Sequence, residues 1–281
     1  MTNLIFGSSG SLGTSIIKII STKYKNKKFI YISRTRPENV KKNWIKLNLN
    51  NNLNNFKYRK VKLCIFLASP KYIKKNMNIN IFNNEYNWIK KLTKNLKIEN
   101  LVYLSSPTIY LKKHYVGVIK IKIEKFLKLN KKKFKSLQVW RPFNLININH
   151  KQYTDHFHSL LFKIMFVQKK KSYIFKGNKK DTRGYANINE FSKVLLKNAF
   201  LNKSFVKDFG NPDKITIDEI IKIYNRYLYS NFKKKFTAYY MSKKINSNII
   251  KKNSKNSVYS KEPSKKVIKK YLLAKLNEKN T

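Results

Sequence analysis

The sequence predicts a doubly wound α/β protein, a parallel sheet with helices on both faces, followed by a small C-terminal α/β lobe. Three observations carry this. Short, near-continuously apolar runs alternate with longer amphipathic ones over the first two-thirds of the chain. Three of the seven glycines fall within the first thirteen residues, directly after the first apolar run. The 281 residues, 42% of them hydrophobic and 14% aromatic, suffice for one large packed domain or a main domain with a smaller lobe.

NLIF, KFIYIS, KLCIFLA, NLVYLSS and SLQVWRP read as strands, apolar throughout as a parallel sheet buried on both faces requires. Between them, TSIIKIISTKY and NEYNWIKKLTKNL have the spacing of helices with one apolar face. VIKIKIEKFLKL begins with strand-like alternation, but its place between two strands makes it a helix. Beyond Pro142 the pattern loosens. ITIDEIIKIYNRYL then reads as a helix with Thr216 as N-cap and Glu219 three residues on. SKKVIKKYLLAKL reads as a final amphipathic helix, and the lysine runs at 131, 169 and 233 as surface turns. The expected domains are 1–145, with a return segment near 181–209, and 146–281, which is mainly the second lobe.

The formal net charge is +50, the mark of many nucleic-acid binders. Its makeup points elsewhere. Only six of the 63 basic residues are arginine, the lysines are spread along the whole length, and Asn, Ile, Tyr and Phe are abundant. That is the profile of AT-rich coding, so the charge reads as a solvated surface and nucleic acid is not expected as a partner. The one cysteine, Cys64, lies in the apolar run VKLCIFLAS, which excludes an intramolecular disulfide and fits a reducing compartment. No apolar run approaches the roughly 20 residues of a membrane span. MTNLIFGSSG has neither a basic leader nor a cleavage site, so a cytoplasmic protein is expected. His114, His150, His156, His158 and Cys64 form no ligand spacing, and no metal is expected.

GSSGSLG places Gly7, Gly10 and Gly13 between the first strand and the first helix. In such a turn the first glycine permits the tight bend and the second lets the backbone approach a pyrophosphate. The third allows close packing of helix on strand. The helix start, through Ser11 and Leu12, then offers free N–H groups and a positive dipole end to phosphate. At the end of the second strand, YISRTR carries Ser33, Arg34 and Arg36 where an NAD site needs a carboxylate for the ribose 2′-hydroxyl. Arginine instead pairs with a 2′-phosphate, so Arg34 points to NADP ahead of NAD.

The G-x-x-G-x-x-G spacing resembles that of the extended short-chain dehydrogenase/reductases, the branch of NAD(P)-dependent nucleotide-sugar epimerases, dehydratases and reductases. LASP, NLVYLSSPTIY, GVIKIKIEKFL, VWRPFNLI, DTRGYANINEF and FGNPDKITIDEI follow in that family's order, so the resemblance spans about residues 3–230. It implies a Rossmann-type fold, a nucleotide-sugar substrate and a role in surface polysaccharide biosynthesis, and it admits a homodimer. It also implies that Ala68 lines the cofactor, that Asn144 lies beside the nucleotide-sugar, and that Arg183 holds the diphosphate.

Family members use a Ser or Thr, a Tyr and a Lys. The tyrosine moves a proton, the lysine supports it and grips the nicotinamide ribose, and the serine orients the substrate oxygen. Ser106, Tyr115 and Lys120 are the candidates. Ser106 matches the family serine in SSPTIY, while Lys120 and Glu124 match the helix that follows. The family tyrosine position falls on Val116, one residue after Tyr115. On a helix, residues four apart differ by roughly 40° and those five apart by roughly 140°. Two readings stay open. Either Tyr115 precedes the first helical turn, with Gly117 permitting a distortion that turns the phenol inward, or the tyrosine function is lost and the site binds a dinucleotide without efficient proton transfer.

Overall fold

The computed structural model describes residues 1–38, 40–50, 53, 56–70, 79–111, 115–147, 170–175, 177–242, 247–248 and 256–277. His114, His150, His156, His158 and Lys169 lie outside the described residues. The chain divides into two compact units, Met1–Pro142 with Ser192–Lys207, and Phe143–Phe191 with Asp208–Thr281.

The first unit runs β1 (Thr2–Phe6), α1 (Ser11–Lys23), β2 (Phe29–Ser33), β3 (Trp44–Lys46), β4 (Lys60–Phe66), α2 (Ile79–Asn95), β5 (Lys97–Leu104), α3 (Tyr115–Leu129) and β6 (Ser136–Pro142). Helix α4 (Ile188–Ala199) enters it at Ser192. The strands order as β6-β5-β4-β1-β2-β3, and every pair is parallel. Chain direction across the sheet reverses between β1 and β4. That reversal opens a crevice at the carboxyl ends of these two strands, where open α/β sheets bind ligands.

Helices cover both faces. Leu4, Phe6, Ile30, Ile32, Cys64, Phe66, Leu101 and Tyr103 form one buried cluster with Ile89 and Leu92 of α2 and Ile119, Ile123 and Leu127 of α3. Strand alternation sends Ile5, Ile65 and Val102 to the opposite face, where they too are buried. On the α1–α4 side, Ser192 Oγ donates to Ser15 Oγ at 2.8 Å, and Phe200 packs against Tyr24 and Phe29. Burial pushes the Cys64 thiol well above its ordinary range, as suits a core residue and not a nucleophile.

The segment with strand-like alternation is a helix. Val118 and Ile121 stay exposed while Val116, Ile119, Lys120, Ile123 and Leu127 are buried. Helical spacing therefore wins over the alternation because the crossover from β5 to β6 must be covered. The short edge strand β3, KNWIKLN in sequence, has too few residues to show a period of two.

In the second unit, α5 (Ile217–Phe232) and α6 (Ser264–Asn277) pack around Ile220, Tyr224, Val267, Ile268 and Tyr271. The expected start of α5 is found. The Thr216 hydroxyl accepts from the Glu219 N–H at 3.1 Å, and the Glu219 carboxylate accepts from the Thr216 N–H at 2.8 Å. Helix α5 ends at Lys233 in the left-handed region, and Lys131–Lys133 form a single 3-10 turn, so both lysine runs mark turns. None of the described helices is long and apolar enough to cross a membrane.

Candidate active site

The glycine turn lies between β1 and α1, at the reversal point of the sheet. Gly7 has φ +80°, and a Cβ there would come within 2.6 Å of the Ala68 backbone nitrogen. A Cβ on Gly13 would meet the Ser8 carbonyl oxygen at 2.4 Å. Both positions must therefore be glycine for the protein to close. Gly10 differs, because a Cβ there would meet only the Gly7 carbonyl, at an ordinary 3.5 Å. The fold tolerates a side chain at Gly10, yet the space is left open.

Gly10 is also the N-cap of α1, with extended backbone, no side-chain cap and no acidic residue in the first turn. The helix start thus presents its first N–H groups toward that space. The turn is held rigidly. Gly7 N and Ser8 N donate to the Ile32 carbonyl, and the buried Ser8 hydroxyl donates to Ser33 Oγ at 3.1 Å. Ser33 is itself fixed by Trp44 Nε1 and by its bond to the Thr35 carbonyl. A small-residue turn at a helix start that has no side-chain cap fits the diphosphate of a dinucleotide.

Of the two arginines after β2, Arg36 is committed to the Val40 and Lys41 carbonyls and lies over the Trp44 ring. Arg34, next to Ser33 at the strand end, is exposed.

Lys120 is held more firmly than the sequence implies. Its ammonium donates to Glu85 Oε1 at 2.6 Å and to the Leu104 carbonyl at 2.9 Å, and lies 5.0 Å from the centre of the Tyr103 ring. Glu85, on α2, also accepts from the Tyr103 hydroxyl at 2.9 Å and from Ser69 Oγ at 3.0 Å. Sequence reasoning missed Glu85. The available signal was its place on the apolar stripe of α2, in register with the buried Ile89, Leu92 and Leu96.

Ser106 begins the 3-10 turn Pro107–Tyr110, where its Oγ accepts from the Thr108 N–H at 3.2 Å and the Thr108 hydroxyl at 3.0 Å. This turn lies directly against α3, because a Cβ on Gly117 would be 2.3 Å from the Thr108 carbonyl oxygen. Close approach explains this glycine, and it brings the Ser106 turn onto the first turn of the helix that bears Lys120. Beneath, Glu124 accepts a two-point contact from Arg141 and a 2.5 Å bond from Ser105 Oγ, while Arg141 also donates to the Tyr110 hydroxyl at 2.8 Å.

Tyr115 is the first residue of α3, whose described range is Tyr115–Leu129. Val116, Lys120, Ile123 and Leu127 form the stripe buried toward the sheet. Tyr115, Ile119, Lys122 and Phe126 form the adjoining stripe, whose Lys122 and Phe126 contact the Tyr86 ring on α2. Tyr115 is half-buried and packs against the core. Val116 thus shares the stripe of Lys120, and Tyr115 occupies the next one.

In the second unit, Asn144 adopts φ +33° in the turn between β6 and Leu145–Ile146. Its side-chain amide donates to the Gly184 carbonyl at 3.1 Å, which brings it beside the neighbour of Arg183. Arg183 is half-buried on the short strand Thr182–Arg183. Among the described residues, no group of three or more His, Cys, Asp or Glu side chains is arranged to hold a metal ion.

The strand order and the glycine turn at the reversal point define a Rossmann-type doubly wound α/β fold. Among solved structures the chain is similar to UDP-galactose 4-epimerase, with a TM-score of 0.75 at 11% identity over 99% of each chain. It is similar to an NAD-dependent NDP-hexosamine 5,6-dehydratase of tunicamycin biosynthesis, with a TM-score of 0.75 at 12% identity over 98% of each chain. It is also similar to the ADP-L-glycero-D-manno-heptose-6-epimerase of Helicobacter pylori, with a TM-score of 0.71 at 16% identity over 97% of this chain and 95% of that one. At the level of sequence, no family model and no curated protein matches.

Proposed function

We propose that the protein binds a nicotinamide dinucleotide and acts on a nucleotide-activated sugar as an epimerase, dehydratase or reductase, in a cytoplasmic step that supplies surface polysaccharide. The observation that carries this is Gly10: the fold accepts a side chain there, yet the start of α1 carries a glycine with no side-chain cap. A bound nicotinamide supplies a hydride acceptor or donor. Gly7, Gly10, Ser11, Leu12 and Gly13 would hold the diphosphate, Ala68 would line the crevice, and Lys120 would contact the cofactor. Exposed Arg34 at the end of β2 favours NADP, since a guanidinium pairs with a 2′-phosphate. Ser106 would orient the substrate oxygen and Tyr115 would move the proton, with Asn144 and Arg183 on the nucleotide-sugar.

The place of Val116 on the Lys120 stripe favours a second reading, a catalytically degenerate protein that retains dinucleotide binding. The similarity to nucleotide-sugar enzymes that are solved as epimerases and a dehydratase supports the first. Thermal melts test both against RNA association. NADPH or NADH should raise Tm, because a ligand that binds only the native state stabilises it by mass action. No shift with either, together with RNA affinity that falls steeply with salt, would overturn the proposal. Incubation with UDP- and ADP-sugars then separates an active enzyme from a degenerate one.

A further inference from the structure

Glu85 is one of only 13 acidic residues among 63 basic ones, and it lies in the interior, 3% exposed, where an unpaired charge is costly. Its two oxygens take three donors from three different elements: Lys120 from α3, Tyr103 from β5 and Ser69 from the segment after β4. Tyr103 is fully buried and out of reach of any ligand, but Ser69 is exposed. Ser69 follows Ala68, whose backbone is the surface against which Gly7 closes. The carboxylate thus spans the interior between the rim of the glycine turn and the ammonium of Lys120. An ammonium has three donors. Glu85 and the Leu104 carbonyl take two, which aims the third.

We propose that Glu85 is a positioning residue of this site, fixing Lys120 and coupling it through Ser69 to the rim of the glycine turn. The proposal rests on the reading that a dinucleotide binds there. A bound ligand that touches Ser69 or Lys120 then meets groups already held in place, and the carboxylate keeps Lys120 from swinging into the solvent.

Glu85→Gln tests this, since it keeps the shape and an acceptor while removing the charge. Lys120 reactivity is read by acetic anhydride labelling with peptide mass spectrometry, and NADH affinity by fluorescence titration of the folded protein. Labelling of Lys120 should rise several-fold and NADH should bind about tenfold more weakly, the loss expected for one charge-assisted hydrogen bond. Glu85→Asp, which keeps the charge, should recover part of both. A pair that serves only stability would lower Tm and leave NADH affinity unchanged, and that result overturns the proposal. If the unaltered protein binds no NADH, the functional reading fails, and the labelling rate alone decides whether Glu85 restrains Lys120. Should Glu85→Gln fail to fold, Ser69→Ala reads the same connection from its exposed end. A few-fold loss of NADH affinity there supports the proposal, and no loss overturns it.

Discussion

The ammonium of Lys120 lies 2.6 Å from the Glu85 carboxylate, and neither side chain is more than 6% exposed. Removing one member of such a pair strands the other charge in the core, whereas replacing both with apolar groups removes the problem. Lys120→Met and Glu85→Ala should each cost about 3–5 kcal/mol in urea unfolding. Lys120→Met combined with Glu85→Leu should be more stable than either single variant. Additive losses in the double variant would show that the two charges are not coupled.

Gly117 and Gly10 make opposite demands. Gly117→Ala drives a methyl group into the Thr108 carbonyl, 2.3 Å away, and backbone cannot swing aside as a side chain does. It should cost about 1–3 kcal/mol or more and loosen the Ser106 turn. Gly10→Ala, whose new methyl meets nothing nearer than 3.5 Å, should leave Tm almost unchanged. Paired melting curves of the two variants check this, and equal destabilisation would contradict it.

Arg34→Asp should weaken NADPH more than NADH, because it removes a 2′-phosphate partner and adds a like charge. Parallel titrations with both cofactors measure this. Equal losses would mean that Arg34 does not read that position.

Much of the fold was legible because its elements depend on local pattern. Strands buried on both faces leave unbroken apolar runs, as in KLCIFLA, and the Thr216–Glu219 capping box is written in four consecutive positions. The glycine turn was legible because three glycines cluster directly after the first apolar run, although the contact that requires Gly7 is with the distant Ala68. Glu85 was not, because its partners Ser69, Tyr103 and Lys120 lie up to 35 residues away and meet only in the folded sheet. The reason for Gly117 was also hidden. A distortion of α3 and a close approach by Thr108 ask for the same residue, and only the structure separates them.

Tyr115 and Val116 offer a kinetic test. If Tyr115 moves the proton, Tyr115→Phe should cut turnover of the nucleotide-sugar by about 10²–10⁴ with NADH affinity nearly unchanged. If the stripe shared by Val116 and Lys120 is the working register, Tyr115→Phe should do little, and Val116→Tyr should create or raise activity. Steady-state rates with the two variants decide between them.

The central claim is that the space at Gly10 receives a dinucleotide, and calorimetric titration of Gly10→Val beside the unaltered protein tests it most directly. Gly10 has φ −75°, and a Cβ there meets only the Gly7 carbonyl, at 3.5 Å, so the variant should still fold. The unaltered protein should bind NADPH or NADH, and Gly10→Val should lose at least about tenfold in affinity, because its side chain fills the approach to the helix N–H groups. Binding of equal strength in the two proteins, or no binding heat with either nucleotide in the unaltered one, would contradict the account.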